Sequence, residues 1–218
     1  GNPIRKEIVP ATPEMKAEAV RFYGLDPAKK HIFIVGGSLG SGTLNNSVKE
    51  WILQGCPDGE NVELLWQCGK YYKPGIDGFM AEHKSDSIHH YDFIKRMDLA
   101  YAAADVVISR SGASSVSELC AAGKAVIFVP SPNVAEDHQT HNAMALVRKD
   151  AAMLIRDADA PQCLMREACR LVRDEEKIKE MEGNILKLAR RDAAERIVEE
   201  IYELADLSTT LEMTKRAL

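Results

Sequence analysis

Short apolar runs alternate with stretches of helical periodicity along most of the chain. The runs are four to six residues long and rich in Val and Ile, which is typical of strands buried on both faces of a parallel sheet. They predict strands at 31–35, 62–66, 88–93, 106–109, 125–129 and 152–155. The amphipathic stretches predict helices at 12–23, 43–54, 98–104, 114–122 and 136–148, and a charged helical region at 161–204. The alternation predicts β-α-β units, and therefore one doubly wound α/β domain of about six parallel strands.

The first predicted helix has the clearest start signal. Thr12 suits the N-cap position, Pro13 the first helical position, and Glu14 complements the helix dipole. No internal repeat or Pro/Ser-rich linker divides the chain, so we expect a single domain over 1–206. Residues 207–218 lose the pattern, and we expect a tail there, or a helix that packs against something outside the chain.

Composition and charge argue against several classes of function. The 218 residues include 28 Lys+Arg and 33 Asp+Glu, a net charge of −5, which argues against binding nucleic acid through its phosphates. Every apolar run is far shorter than the roughly 18 residues that a membrane-spanning helix needs, and no signal peptide is expected. The five cysteines form no CxxC pair and the histidines no ligand cluster, so we expect reduced thiols and no bound metal.

A glycine-rich loop follows the first predicted strand and directly precedes a helix. It reads GGSLGSG over residues 36–42. Small residues let the backbone approach a ligand, and the free N–H groups of the next helix favour an anion. The spacing is neither that of a Walker A loop nor GxGxxG. We expect Ser38 and the neighbouring amides to bind a diphosphate; the alternative is a glycine turn without a ligand.

A second small-residue loop, SRSGASSVSE, spans residues 109–118 after another strand. Its serine hydroxyls can donate to phosphate, whereas Glu118, one turn into the helix, can accept from two ribose hydroxyls. This division of roles suits a nucleotide. The alternative is that Glu118 interacts with the helix dipole, or ends a capping box that Ser115 begins.

A third segment follows the strand at 125–129 and includes EDHQTHNA over 136–143. Gln139 and Asn142 are three residues apart and share a helix face, and their amides both donate and accept hydrogen bonds. Such a pair suits the hydroxyls of a sugar; the alternative is an ordinary helix start with acidic capping residues. The three segments support one another because the carboxyl ends of parallel strands meet at one edge of a sheet.

The combination of these segments resembles one enzyme family. The opening GNPIR, followed by GGSLGS, SRSGASSVSE, AAGKAVIFVP and DHQTHNA, is similar to the C-terminal half of the MurG family. Its members are bacterial glycosyltransferases that transfer N-acetylglucosamine (GlcNAc) from UDP-GlcNAc to lipid I, forming lipid II in peptidoglycan biosynthesis. The resemblance covers residues 1 to about 204. It implies a Rossmann-like sheet that is the UDP-GlcNAc-binding, C-terminal half of a GT-B fold.

The resemblance also implies roles for residues at the nucleotide end of the donor. It places Arg5 and Ser38 near the diphosphate and the main chain of Ile94 on the uracil. It places Glu118 on the ribose hydroxyls, at the end of a segment that wraps the nucleotide: Ala113, Ser114, Ser115, Val116 and Ser117. The roles of Arg5 and Ile94 are inferred from the resemblance alone.

At the sugar end, the resemblance assigns Gln139 and Asn142 to the GlcNAc hydroxyls, in agreement with their chemistry. One position departs from the family pattern: Leu39 stands where the family usually has Gln, so a side-chain amide contact there is lost or replaced by backbone.

The other departure is the missing N-terminal domain. In the family that domain supplies the lipid I site, the membrane-facing apolar patch and the general base, and we predict no catalytic residue in this chain. The resemblance implies an inverting displacement without a cofactor, in which amides, a helix N-terminus and Arg5 stabilise the leaving diphosphate. The expected partners are UDP-GlcNAc and, through the missing domain, lipid I and the cytoplasmic face of the cell membrane. The fragment itself is expected to be soluble and inactive alone.

Three alternatives remain open. A soluble GlcNAc-transferase subunit of dolichol-linked glycan assembly resembles this half alone, although the GNPIR opening argues against it. A non-catalytic nucleotide-binding module would have the same loops. A sugar-nucleotide epimerase of related fold would need acid and base residues in the cleft, and none is evident.

Overall fold

Six strands form one parallel sheet in the computed structural model, which describes the backbone of residues 1–216 and the side chains of residues 1–204. The strands are β1 Lys30–Val35, β2 Val62–Gln67, β3 Ile88–Tyr91, β4 Val106–Ser109, β5 Ala125–Phe128 and β6 Met153–Leu154. Their order across the sheet is β3-β2-β1-β4-β5-β6, and every neighbouring pair is parallel. The predicted doubly wound α/β fold is confirmed.

Helices cover both faces of the sheet. They are α1 Pro13–Tyr23, α2 Gly42–Leu53, α3 Lys73–Glu82, α4 Met97–Ala103, α5 Ala113–Ala122, α6 His138–Val147, α7 Ala160–Leu171, α8 Glu175–Leu186 and α9 Ala193–Arg216. Side chains of β1 alternate between the two faces because successive residues of a strand point in opposite directions. Phe33 belongs to the core on the side of α5, whereas Ile32 and Ile34 belong to the core on the side of α2.

The order of the strands changes direction at β1: β2 and β3 lie on one side of it, and β4, β5 and β6 lie on the other. Strand β1 pairs with β2 on one side and with β4 on the other. The helices that follow these two central strands lie on opposite faces: Leu44 of α2 and Leu119 of α5 belong to different cores. A crevice therefore opens between the two loops, at the place where open α/β sheets bind ligands.

Several element boundaries differ from the predictions. Helix α1 begins as expected, with the Thr12 hydroxyl accepting the Met15 N–H at 3.3 Å. Helix α6 begins at His138 rather than 136, because Glu136 and Asp137 have left-handed backbone conformations with φ of 53° and 48°. The charged region at 161–204 is divided among α7, α8 and α9.

Helix α3 was not predicted. Its sequence begins Lys-Pro-Gly and contains a second glycine at Gly78, and such residues weaken a helical signal. Its buried side chains, Ile76 and Met80, are one turn apart and join the core on the side of α2. Packing against the sheet therefore stabilises a helix of poor intrinsic propensity.

Two further expectations concern the chain end and the membrane. The predicted tail at 207–218 lies outside the residues whose side chains are described, although the backbone of α9 extends to Arg216. In the described part of the chain, no helix is long and apolar enough to cross a bilayer. That part also contains no group of three or more His, Cys, Asp or Glu residues arranged to hold a metal ion.

Candidate functional site

A cavity of about 530 Å³ lies at the carboxyl edge of the sheet, where the order of the strands reverses. Loops that follow five of the six strands contribute to its walls. The lining residues are Gly36, Gly37 and 40–43 after β1; Tyr72 after β2; Arg110, Gly112 and Ser115 after β4; 131–133 and Gln139 after β5; and Asp157 after β6. All three segments singled out in the sequence meet here.

Glycines give the loop after β1 its shape. Gly40 has a φ of +83°, and a Cβ built on it would lie 2.1 Å from the carbonyl oxygen of Cys68. Gly37 also has a positive φ, of +87°, but open space surrounds it. The loop therefore presses against the end of β2 at Gly40, in a conformation that L-residues avoid.

The loop delivers the chain to the uncapped N–H groups of α2. The N-cap Ser41 accepts the Leu44 N–H through its hydroxyl at 3.4 Å. The N–H groups of Gly42 and Thr43 donate to no protein group within residues 1–204, because the first turn of a helix lacks intrahelical acceptors. Unpaired N–H groups of this kind, beside a cavity, favour an anion.

The first turn of α5, on the other side of the crevice, also has N–H groups without protein partners among the described residues. Its N-cap is Gly112, which supplies no side-chain acceptor, so the N–H groups of Ala113, Ser114 and Ser115 are unsatisfied among the described residues. The suggestion that Ser115 begins a capping box ending at Glu118 is wrong, because Ser115 lies inside the helix rather than at its N-cap.

Glu118 is instead held by two other side chains. The Nε and Nη2 atoms of Arg5 each donate to its carboxylate at 2.9 Å, one to each oxygen, and the Tyr101 hydroxyl donates to Oε2 at 3.3 Å. Burial, with a smaller contribution from the Glu118 charge, raises the pKa of Tyr101 far above its ordinary value, so the phenol remains a donor. The two residues that the resemblance assigns to ribose and diphosphate thus contact each other directly.

The side-chain amide of Asn142 lies against the loop after β4, and that of Gln139 lies against the loop after β5. Asn142 Nδ2 donates to the Ser111 carbonyl at 3.0 Å, and the buried Ser111 hydroxyl donates to the Gln139 carbonyl at 2.8 Å. The side-chain Oε1 of Gln139 accepts the Ser131 N–H at 3.0 Å. Gln139 lines the cavity, and its Nε2 donates to no other group in the described structure.

Ser115 and Gln139 are the predicted site residues that line the cavity, and the others, Ser38 and Ile94 among them, lie outside its lining. Ser38 is exposed at the tip of the glycine loop, next to Leu39, which is 77% exposed. Ile94 is buried, and its N–H donates to Gln67 Oε1 at 2.9 Å. If the main chain of Ile94 makes a hydrogen bond to a base, the carbonyl oxygen is therefore the atom that makes it.

Sequence reasoning missed a cluster around Arg110. Its Nη2 donates to the Ser41 hydroxyl at 2.7 Å, and its Nη1 donates to Asp157 at 2.5 Å and to the carbonyls of Val129 and Pro130. Asp157 also accepts the Thr43 hydroxyl at 3.0 Å. The cluster ties the loops after β1, β4, β5 and β6 together. The one available signal was a cation placed directly after a predicted strand.

A second cavity, of about 610 Å³, lies at the opposite, amino edge of the sheet. Its polar groups contact one another: Lys16 pairs with Asp105, and Lys124 Nζ donates to the Ala104 carbonyl at 2.8 Å. Burial lowers the pKa of Lys124 and raises that of Glu182. Two helices, α1 and α8, begin beside this larger cavity, but both have capping side chains and acidic residues in the first turn. Helices α2 and α5 have no acidic residue in the first turn, and a glycine-rich loop precedes α2, so we assign the functional site to the carboxyl edge.

Comparison with known proteins places the chain in a family. The glycosyltransferase family 28 C-terminal domain matches residues 31–197, which include all three loops. The chain belongs to glycosyltransferase family 28. The predicted family resemblance and the C-terminal half of a GT-B fold are thereby confirmed.

Two curated proteins are similar over almost the whole chain. They are the UDP-N-acetylglucosamine–N-acetylmuramyl-(pentapeptide) pyrophosphoryl-undecaprenol N-acetylglucosamine transferases of Parabacteroides distasonis, 48% identical, and Bacteroides thetaiotaomicron, 46% identical. Each match covers 94% of this chain and 55% of the relative. The chain therefore spans about half the length of the curated relatives it matches.

Solved structures give the same result. MurG of Acinetobacter baumannii superposes with a TM-score of 0.72 at 27% identity, over 92% of this chain and 55% of that protein. The Anabaena protein HepE, solved with UDP and glucose, has a TM-score of 0.65 at 12% identity over 93% of this chain and 55% of that one. At that identity the second likeness concerns the fold alone.

Proposed function

We propose that this chain is the donor-binding half of an inverting glycosyltransferase that transfers GlcNAc from UDP-GlcNAc to lipid I. The observation that carries the proposal is the pair of helix starts, α2 and α5, on either side of a cavity in a family 28 domain. The first N–H groups of both helices have no partner among the described residues. Two sets of unsatisfied N–H groups suit a diphosphate, and the named relatives use a UDP-sugar donor.

The proposed nucleotide contacts follow from the sequence. The segment of Ala113, Ser114, Ser115, Val116 and Ser117 wraps the nucleotide, and Glu118 accepts from the ribose hydroxyls. A carboxylate offers about four acceptor positions. Three donors already occupy positions on Glu118 in this structure, which leaves about one for the two ribose hydroxyls. We therefore expect Arg5 to leave Glu118 when the nucleotide binds and to turn its charge toward the diphosphate. The carbonyl of Ile94 accepts from the uracil.

The proposed sugar contacts come from α6 and the glycine loop. Gln139 presents its free Nε2 to a GlcNAc hydroxyl while Ser131 fixes its Oε1. Asn142 has its Nδ2 engaged by Ser111, so its contribution falls to Oδ1. Ser38, exposed at the loop tip, binds the diphosphate.

In the proposed reaction, the C4 hydroxyl of the muramyl sugar attacks the anomeric carbon of GlcNAc. The new C–O bond forms as the bond from that carbon to the diphosphate oxygen breaks, and UDP leaves with the electron pair. The hydroxyl proton passes to a base that we place outside this chain. The N–H groups of α2 and α5 and the Arg5 guanidinium stabilise the charge that develops on the diphosphate.

We also propose where the full-length enzyme works. Lipid I and the membrane contact the half of the relatives that this chain does not cover, on the cytoplasmic face of the cell membrane. We expect residues 1–218 by themselves to bind the donor without transferring its sugar.

Isothermal titration calorimetry with UDP-GlcNAc, UDP and NAD tests the donor assignment. We expect binding of UDP and UDP-GlcNAc at one site and no binding of NAD. NAD binding without UDP binding would place the chain among dinucleotide-binding modules instead. Transfer to lipid I by this chain alone would contradict the assignment of the acceptor half.

A further inference from the structure

Tyr72 lines the carboxyl-edge cavity and belongs to a loop to which no ligand contact has been assigned. It comes from the loop after β2, whereas the segments assigned above to the donor's phosphates and sugar follow β1, β4 and β5. Its oxygen lies so close to Gly42 that a Cβ built there would be 3.2 Å away. Gly42 is the first residue of α2, so the hydroxyl lies at the helix start where the unpaired N–H groups are.

A tightly packed contact between two loops holds Tyr72 in this position. A Cβ on Gly69 would lie 2.3 Å from the Leu39 carbonyl oxygen, so the loop after β2 touches the glycine loop directly. The buried Asn45 of α2 reinforces the contact, because its Nδ2 donates to the Cys68 carbonyl and its Oδ1 accepts from Trp66, both at 2.9 Å. Such constraints pre-organise the side chain that follows.

The Tyr72 hydroxyl has an unused donor. It makes no hydrogen bond with any group within the described residues, although neighbouring polar side chains of the cavity, such as Ser41 and Arg110, are engaged with each other. The adjacent Tyr71 differs sharply, because this residue is 83% exposed and is not part of the cavity lining.

We propose that the Tyr72 hydroxyl donates a hydrogen bond to the diphosphate of the bound nucleotide sugar, beside the first turn of α2. Tyr72 is then a substrate-binding residue, and Gly42 lacks a side chain because a Cβ would crowd the phenol. The proposal rests on the proposed function. It adds a neutral donor to the helix amides, at the point where the leaving group gains charge.

The test compares Tyr72→Phe with Tyr71→Phe, which removes the same atom from the neighbouring ring. Calorimetry measures the affinity of each 218-residue variant for UDP, and ligand-observed NMR measures its affinity for uridine, which has no phosphate. We expect Tyr72→Phe to weaken UDP binding by about tenfold, as for a lost hydrogen bond to a charged group. Uridine binding should stay unchanged, and Tyr71→Phe should match the unaltered chain for both ligands.

Unchanged UDP affinity in Tyr72→Phe would overturn this inference alone. Equal losses for UDP and uridine, or an equal loss in Tyr71→Phe, would also overturn it, because either result would indicate a general disturbance of the loop. If the unaltered chain bound no UDP, the proposed function and this inference would both fail. Thermal unfolding of both variants verifies that the ring substitutions leave the fold intact.

Discussion

The two edges of the sheet carry cavities of comparable size, about 530 Å³ at the carboxyl edge and 610 Å³ at the amino edge, but their polar groups are arranged differently. At the amino edge, ionic groups such as Lys16 and Asp105 pair with one another. At the carboxyl edge, the starts of α2 and α5 present backbone donors without protein partners in the described structure. Volume does not distinguish the edges. The helices that begin at the amino-edge cavity, α1 and α8, have acidic residues in the first turn, whereas α2 and α5 have none.

The largest expected effect concerns the glycine loop. Gly40→Ala should destabilise the chain by about 3 kcal/mol, because it combines a left-handed backbone with a clash against the Cys68 carbonyl. Gly37→Ala is the matched control: it has the same sign of φ but open space around it, so about 1 kcal/mol is expected. Urea unfolding measures both, and equal losses would show that the contact with β2 is unimportant.

The next largest effect is on stability, and it compares the loss of one ion pair at each edge of the sheet. Arg110→Met should cost about 2 kcal/mol of unfolding free energy, because it leaves the largely buried Asp157 without its cation and releases Ser41. Lys30→Met, in the exposed pair with Glu175, should cost about 0.5 kcal/mol or less. Similar costs for the two substitutions would remove the distinction between a cluster that joins loops and a surface ion pair.

Glu118 tests the ligand role of the carboxyl edge. Glu118→Ala should weaken UDP binding by roughly 1 to 3 kcal/mol if two charge-assisted hydrogen bonds to the ribose are lost. Glu182→Ala, at the amino edge, should leave the UDP affinity unchanged. Calorimetry measures both, and an unaltered affinity in Glu118→Ala would leave Glu118 only its observed role of holding Arg5.

The smallest expected effect is a pH dependence of stability from the amino edge. Burial lowers the pKa of His31, although Asp105 and Glu63 oppose the shift. The unfolded chain therefore binds a proton there more readily, and the contribution of His31 to stability is lost as the pH falls below the ordinary value of about 6.5. Unfolding at pH 7.5 and pH 5.5 should show a smaller pH dependence for His31→Gln than for the exposed His138→Gln; equal slopes would contradict this.

Local sequence signals predicted much of the carboxyl edge. The glycine loop and the segment ending at Glu118 each combine a strand, small residues and a helix within ten residues or so, and the structure brings them together. The Arg110–Asp157 contact was not predictable, because 47 residues separate the partners and the connecting strand β6 is two residues long. Helix α3 was missed because packing, not propensity, forms it. The Arg5–Glu118 contact joins residues 113 apart and has no local signal.

The most direct test of the central claim is the amide NMR spectrum of the chain, recorded with and without UDP. We predict the largest shifts at the first N–H groups of α2 and α5, which have no partners in the described structure: those of Gly42, Thr43, Ala113 and Ser114. We predict little change at Lys16, Gly123 or Lys124 around the amino-edge cavity. Shifts concentrated at the amino edge, with the starts of α2 and α5 unaffected, would contradict the account.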